Sequence, residues 1–237
     1  MCTLTWRPSA ERGYDLFFNR DELDTRTDEC PPAVITTPGG RVIAPRDGPG
    51  GGTWLALNEQ GVTLALLNCY PSRARAGSDW DRPTPSRGGV CWTVAGARSA
   101  REAIERVKAG AWESAKPFHL VALDAEARGE WRTWDGAQWS GGSAPLFLTS
   151  SSFASSEIEA ERARRWRTSA PVTVEEMEAF HWFYEPAAGA ASICMRRADA
   201  RTRSVSHITV RTGLRSLKYW AVGEPGAKPA EGQVVEL

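Results

Sequence analysis

The chain has 237 residues, of which 41% are hydrophobic and 24% charged, and its 29 basic side chains balance 29 acidic ones. That length and mix suit one domain over residues 1–237 with a large core, and the zero net charge excludes a global basic field that would draw nucleic acid or anionic lipid. No run approaches the ~18 apolar residues of a membrane span, and Arg7, Glu11 and Arg12 break the N-terminus before a secretory apolar region can form.

In chain order, residues 2–7 alternate as a strand, residues 9–13 form a turn cluster, and residues 14–19 return as a second strand. This hairpin brings Cys2 close to Asn19-Arg20-Asp21-Glu22. Pro31-Pro32 and Pro38-Gly39-Gly40 mark an irregular segment, with a short strand at 41–44 and a glycine-rich loop at 48–52. Residues 53–57 and 62–68 flank the turn Asn58-Glu59-Gln60-Gly61 as the clearest hairpin. Its second arm is nearly all apolar, the pattern of a strand buried on both faces, and it ends in Asn68. Residues 72–89 are rich in Arg, Pro and Gly and read as an exposed loop.

Three S/T-x-x-E boxes predict helices: Ser99 with Glu102 for 100–109, Ser156 with Glu159 for 157–167, and Thr173 with Glu176 for 174–184. Strands are expected at 118–124, 130–134, 145–150, 192–196, 204–210 and 217–222. This order is α+β with stacked sheets. Periodicity alone goes no further.

Cys2 carries the most specific chemistry. Removal of Met1 by methionine aminopeptidase leaves a thiol and a free α-amine on one residue. The amine titrates at about 7.7–8.0, so it can take the proton that the thiol must lose to become a nucleophile. The plain alternative is a small buried thiol in a strand. An arginine beside the thiol, Arg20, favours thiolate, and Asp21 can orient the amine through a charge-assisted hydrogen bond. Strand neighbours face opposite ways, so one of Arg20 and Asp21 faces Cys2 directly; Asn19 lies on the Asp21 face and shares its work, and Glu22 is a structural partner for Arg20.

Asn68 is a candidate oxyanion donor or a cap for the turn at Tyr70-Pro71. Thr53 and Trp54 read as a substrate-pocket wall or as a connector with Trp54 in the core. Arg203 reads as a bidentate ligand for a substrate carboxylate or as a solvated turn arginine. His119, His181 and His207 have no metal-ligand spacing, although a Cys2–His207 dyad stays open. The cysteines Cys2, Cys30, Cys69, Cys91 and Cys194 show neither a zinc set nor a C-x-x-C pair, which fits free thiols in a cytoplasmic chain. Cys30-Pro31 is the dipeptide of haem-regulatory sites, or simply a loop cysteine. No cofactor and no metal are expected.

Met1-Cys2-Thr3, Asn19-Arg20-Asp21-Glu22 and Gly51-Gly52-Thr53-Trp54-Leu55 together resemble the NRDE family, of the transport and Golgi organisation 2 type. That family is related to the N-terminal-nucleophile (Ntn) hydrolases, among which choloylglycine hydrolase and penicillin V acylase are the nearest. The resemblance is dense over residues 1–90. It implies a four-layer αββα sandwich of two stacked, mainly antiparallel sheets, with Cys2 as nucleophile and Asn68 matching an acylase asparagine at a strand end. Thr202-Arg203-Ser204 resembles the family's Thr-Arg-Ser segment. One departure stands out: choloylglycine hydrolases place the arginine three residues before the aspartate, whereas Arg20 and Asp21 are adjacent. The implied activity is cleavage of a non-peptide C–N amide in a small acylated molecule, with loops 25–50 and 70–90 setting specificity. The alternative is a non-catalytic protein that binds haem or a lipid or acyl-CoA on the same scaffold.

Overall fold

Alternation along the first hairpin sets the architecture. Strand β1 (Cys2–Pro8) pairs antiparallel with β2 (Tyr14–Leu23), with Cys2 opposite Arg20 and Thr3 opposite Asn19. Leu4, Trp6, Tyr14, Leu16 and Phe18 therefore enter one buried cluster, while Phe17 enters another on the far face. The turn requires glycine at position 13: its φ is +88°, and a Cβ there would meet the Val210 carbonyl oxygen at 2.0 Å.

The computed structural model describes residues 1–48, 50–70, 86–112 and 114–237. Further strands are β3 (Cys30–Thr37), β4 (Gly40–Arg46), β5 (Leu55–Asn58), β6 (Thr63–Asn68), β7 (Phe118–Leu123), β8 (Gly129–Trp134), β9 (Trp139–Ser143), β10 (Phe147–Ser150), β11 (Ala200–Arg211), β12 (Leu214–Ala221) and β13 (Gln233–Glu236). They form a six-stranded sheet in the order β10-β1-β2-β11-β12-β13 and a seven-stranded sheet in the order β3-β4-β5-β6-β7-β8-β9. The helices are α1 (Ala100–Lys108), α2 (Ser155–Ser169) and α3 (Val174–Trp182).

Three apolar interfaces bind these elements into four layers. Between the sheets, Leu4, Leu16 and Phe18 meet Ile43, Leu55, Leu67 and Val121. On the outer face of the seven-stranded sheet, Val42, Leu64 and Leu120 meet Ile104 and Val107 of α1. On the outer face of the six-stranded sheet, Phe17, Val205 and Trp220 meet Met177 and Trp182 of α3. Full burial of each such aliphatic or aromatic side chain contributes about 1.5–3 kcal/mol. The outcome is the expected α+β sandwich of stacked antiparallel sheets.

Local expectations and structure part at several places. Ser99 Oγ accepts from Glu102 N at 3.1 Å, and Thr173 with Glu176 forms a complete capping box. Ser156, however, caps nothing: α2 starts at Ser155, two residues before the expected Glu157, after Ala154 in the left-handed region, and Glu159 instead accepts from Ser151 N at 3.1 Å. Residues 192–196 make only an isolated bridge, Arg196 to Arg201. Pro31 and Pro32 lie in β3, an edge strand with a register shift between Cys30 and Ala33, where missing N–H donors are tolerated. Most of the predicted loop at 72–89 lies outside the described residues; from Arg87 to Val94 the chain is a 3-10 helix. Among the described residues, no helix is long and apolar enough to cross a membrane.

His181 of α3 is buried against β1 and β2. Asn19 Nδ2 donates to the carbonyls of His181 (2.9 Å) and Ile193 (3.1 Å). Asn19 Oδ1 therefore faces His181 Nδ1 at 2.6 Å as an acceptor, and Nε2 is left to accept from the Thr5 hydroxyl at 2.8 Å. Burial pulls the imidazole down to about 3, with His207 and Arg162 adding to the fall. The unfolded chain, with His near 6.5, thus takes up this proton first as pH drops. Stability should decline between roughly pH 6.5 and pH 3, by at most about 1.4 kcal/mol per pH unit for this group. His119, lowered by burial to about 4, acts with the same sign. Thermal unfolding followed across this range should give a shallower slope in His181→Gln than in the parent chain.

Candidate functional site

A cleft of about 590 Å³ opens where the ends of β1 and β2 meet the entrance to β5 and the end of β6; its walls include Cys2, Arg20, Asp21, Thr53, Trp54 and Asn68. Cys2 is half-buried at the start of β1, opposite Arg20 on β2 and Ser150 on β10. Met1 is buried beside it. The Met1 nitrogen donates to Asp21 O at 3.1 Å, Asp21 N donates to Met1 O at 3.0 Å, and Met1 Sδ accepts from Ser151 Oγ at 2.9 Å. The Met1 side chain packs with Ala190, Met195 and Ala200. Under this cover, burial pushes the Cys2 thiol up to about 11; Asp21 also raises it, and the terminal ammonium and Arg20 pull it down without overcoming burial. With Met1 attached, residue 2 is a protonated thiol at neutral pH.

Strand alternation divides Arg20 from Asp21. Arg20 points to the cleft side, where its guanidinium bonds Glu29 at 2.6 Å and Glu22 and Asp47 at 3.3 Å each, and lies 4.4 Å over the Trp54 ring. Tyr219 OH donates to the other Glu29 oxygen at 2.7 Å. Arg20 is thus fixed by three carboxylates and an aromatic face. Asp21 sends its carboxylate toward α2. Arg162 Nη1 and Nη2 both donate to Asp21 Oδ2 at 3.1 Å, and Thr202 Oγ1 donates to Oδ1 at 2.7 Å. Arg162 also donates to Thr3 Oγ1 (2.8 Å) and Ala190 O (2.9 Å). Both charged side chains are 0% exposed. The hydrogen bonds on every side are what makes such a buried pair tolerable.

On the facing wall, Asn68 Nδ2 donates to Tyr70 OH at 2.8 Å, which orients the amide at the end of β6. Thr53 N donates to Gly88 O at 2.9 Å, and Thr53 Oγ1 donates to Leu55 O at 2.9 Å. Trp54 is buried, and among the described residues its indole Nε1 has no partner. Arg87 lines the same wall and donates to Pro117 O at 3.0 Å; burial lowers its pKa.

Other candidates sit elsewhere. Asn19 lies in the network with His181 on the helix side of β2. Arg203 stands in β11, where the register shifts between Thr202 and Ser204, and pairs with Asp28 outside the cleft lining. Within that tripeptide it is Thr202 that reaches Asp21. His207 bonds Asp15 at 2.9 Å and stacks on Phe17 with ring centroids 4.0 Å apart, on the helix side of the sheet and away from Cys2. Arg162, Tyr70 and Arg87 carry no motif; Thr202 lies in the Thr-Arg-Ser segment, where Arg203 is the residue singled out.

The profile of the family described as Transport and Golgi organisation 2 matches residues 1–159. No curated protein matches the chain by sequence. Solved structures share its fold at low identity. A variant of the conjugated bile acid hydrolase from Clostridium perfringens aligns with TM-score 0.64 and 12% identity, over 100% of this chain and 92% of that one. The N-acylethanolamine-hydrolyzing acid amidase ortholog of Caenorhabditis elegans aligns with TM-score 0.59 and 11% identity, over 94% and 100%. Penicillin V acylase from Agrobacterium tumefaciens aligns with TM-score 0.52 and 13% identity, over 95% and 84%.

Removing one partner of a buried ion pair leaves the other charge uncompensated. Arg162→Ala should therefore lower unfolding stability in urea by about 3–5 kcal/mol, whereas Arg164→Ala on the exposed face of α2 should leave it nearly unchanged.

Proposed function

The chain belongs to the Transport and Golgi organisation 2 family and has the fold of the Ntn amidohydrolases; from this we propose that it is itself an N-terminal cysteine amidohydrolase, cleaving a non-peptide amide in a small acylated molecule. The observation that carries this reading is the convergence of Cys2, Arg20 and Asn68 on one cleft, with Cys2 one residue from the amino end.

The chemistry follows from the geometry. Loss of Met1 turns the Cys2 nitrogen into a free amine and releases the Asp21 carbonyl oxygen, which accepts from the Met1 nitrogen while Met1 is attached. The amine takes the thiol proton, and Arg20 across the hairpin favours the thiolate. Sulfur attacks the amide carbonyl to give a tetrahedral oxyanion, which accepts a hydrogen bond from the Asn68 amide. The C–N bond then breaks, and the leaving nitrogen takes the proton from the Cys2 ammonium. Water, deprotonated by the same amine, attacks the thioester and releases the acid. Asp21, locked by Arg162 and Thr202, acts as a positioning residue for the strand end. Because Met1 is buried in the folded chain, its removal belongs to the period before this edge closes.

A chain that kept Met1 would retain the cleft without a nucleophile. That state is the basis for the second reading, binding of haem or an acyl-CoA.

Intact mass of the purified protein should lack the initiator methionine. Incubation with an acyl amide panel should then give a Cys2 thioester adduct and release amine. Cys2→Ala should abolish both while the unfolding midpoint stays within a few degrees. Alkylation of Cys2 by iodoacetamide should rise with pH around a midpoint well below 11. A retained methionine with an unreactive thiol would overturn the hydrolase reading; saturable tryptophan quenching by haem or acyl-CoA in such a chain would favour the binding reading.

A further inference from the structure

The acids of the cleft are committed pair by pair. Asp21 is held by Arg162, and Glu22 and Asp47 by Arg20, with Asp47 also meeting Arg26. Arg87 is not matched in this way. Among the described residues, no carboxylate lies at ion-pair distance from it, and its one hydrogen bond is from Nη1 to the Pro117 carbonyl. A guanidinium has five N–H donors, so most of those of Arg87 are open to a ligand in the cleft that it lines. Lys116 adds further positive charge to the same cleft.

The seat of Arg87 is built. Gly88 and Gly52 pack backbone to backbone, and a Cβ on Gly88 would meet Gly52 Cα at 2.6 Å. Thr53 N donates to Gly88 O at 2.9 Å. This contact pins the start of the 3-10 helix against the entrance to β5 and seats Arg87 in the wall of the cleft. A second unsatisfied donor stands nearby: the indole Nε1 of Trp54, a residue 7% exposed, has no partner among the described residues.

We infer that Arg87 recognises an oxyanion carried by the acylated substrate, a carboxylate or a group of the same chemistry, and so restricts the cleft to anionic acyl amides. The inference rests on the proposed amidohydrolase reading and supplies its substrate class. Arg87 is a specificity-determining residue: it binds the anion and takes no part in bond making.

Alkylation of Cys2 reads this without knowledge of the substrate. Iodoacetate and iodoacetamide are close in size and differ in charge. Relative to a peptide with an N-terminal cysteine, the ratio of iodoacetate to iodoacetamide rates at Cys2, followed by peptide mapping, should be raised about tenfold, the scale of one charge-assisted contact. Arg87→Gln should return the ratio to the peptide value, Arg87→Lys should keep part of it, and added salt should reduce it. A ratio unchanged by Arg87→Gln overturns the inference and assigns the charge preference to Arg20. If Cys2 takes neither reagent, the nucleophile reading fails on its own. Calorimetry then decides: N-octanoylglycine binding more tightly than N-octanoylglycinamide, with the preference lost in Arg87→Gln, supports the inference, and equal binding or none overturns it. If Arg87→Gln does not fold, a ratio in the parent chain no greater than that of the peptide overturns it, and a raised ratio suppressed by salt and retained in part by Arg87→Lys upholds it.

Discussion

A strand turns successive side chains to opposite faces, and in this protein that rule splits one short motif between two environments. Arg20 enters the space between the sheets, and Asp21 enters the layer beneath α2. Everything around them answers to that division. On one side three carboxylates and the Trp54 ring hold a guanidinium beside Cys2. On the other, a fully buried Arg162 and the hydroxyl of Thr202 hold a carboxylate. Without these partners each face would bury an uncompensated charge. Together they lock the paired ends of β1 and β2, where position matters most for chemistry.

The amino end is part of that lock. Met1 adds a further antiparallel pair to the hairpin through its two bonds with Asp21, and its side chain fills an apolar socket. The same contacts that stabilise the edge keep the neighbouring thiol covered and protonated. On the proposed reading, trimming would exchange packing for reactivity: it would free an amine and uncover a sulfur while leaving the register of β1 and β2 in place below Thr3.

The seven-stranded sheet supplies the other wall, and its contribution is one of precision. Asn68 ends a strand whose preceding residues are buried, so its backbone has little freedom, and Tyr70 fixes the amide. The paired glycines at 52 and 88 bring two backbones close enough to seat Arg87. Likeness to acylases and bile acid hydrolases describes the scaffold. What the cleft accepts is written in the charges of this chain, because function resides in sites carried by folds.

Much of the plan is local and was legible as such. Alternation in residues 2–7 and 14–19, the apolar run before Asn68 and the caps at Ser99 and Thr173 all depend on neighbours a few positions apart, and all appear in the structure. The edge strand β3 is not legible in the sequence because Pro31 and Pro32 mark an irregular segment, and only an edge position makes them harmless. The residues that complete the site were hidden for a different reason. Arg162 meets Asp21 across 141 positions, Thr202 across 181, and Arg87 reaches the cleft through a glycine contact between two loops. Sequence by itself determined the first hairpin and the α+β class, since these follow from short-range periodicity, and the motifs along the strand carried the resemblance that implied the sandwich. Tertiary structure alone decided which charges find counter-charges, because pairing depends on distances that only the stacking of four layers creates.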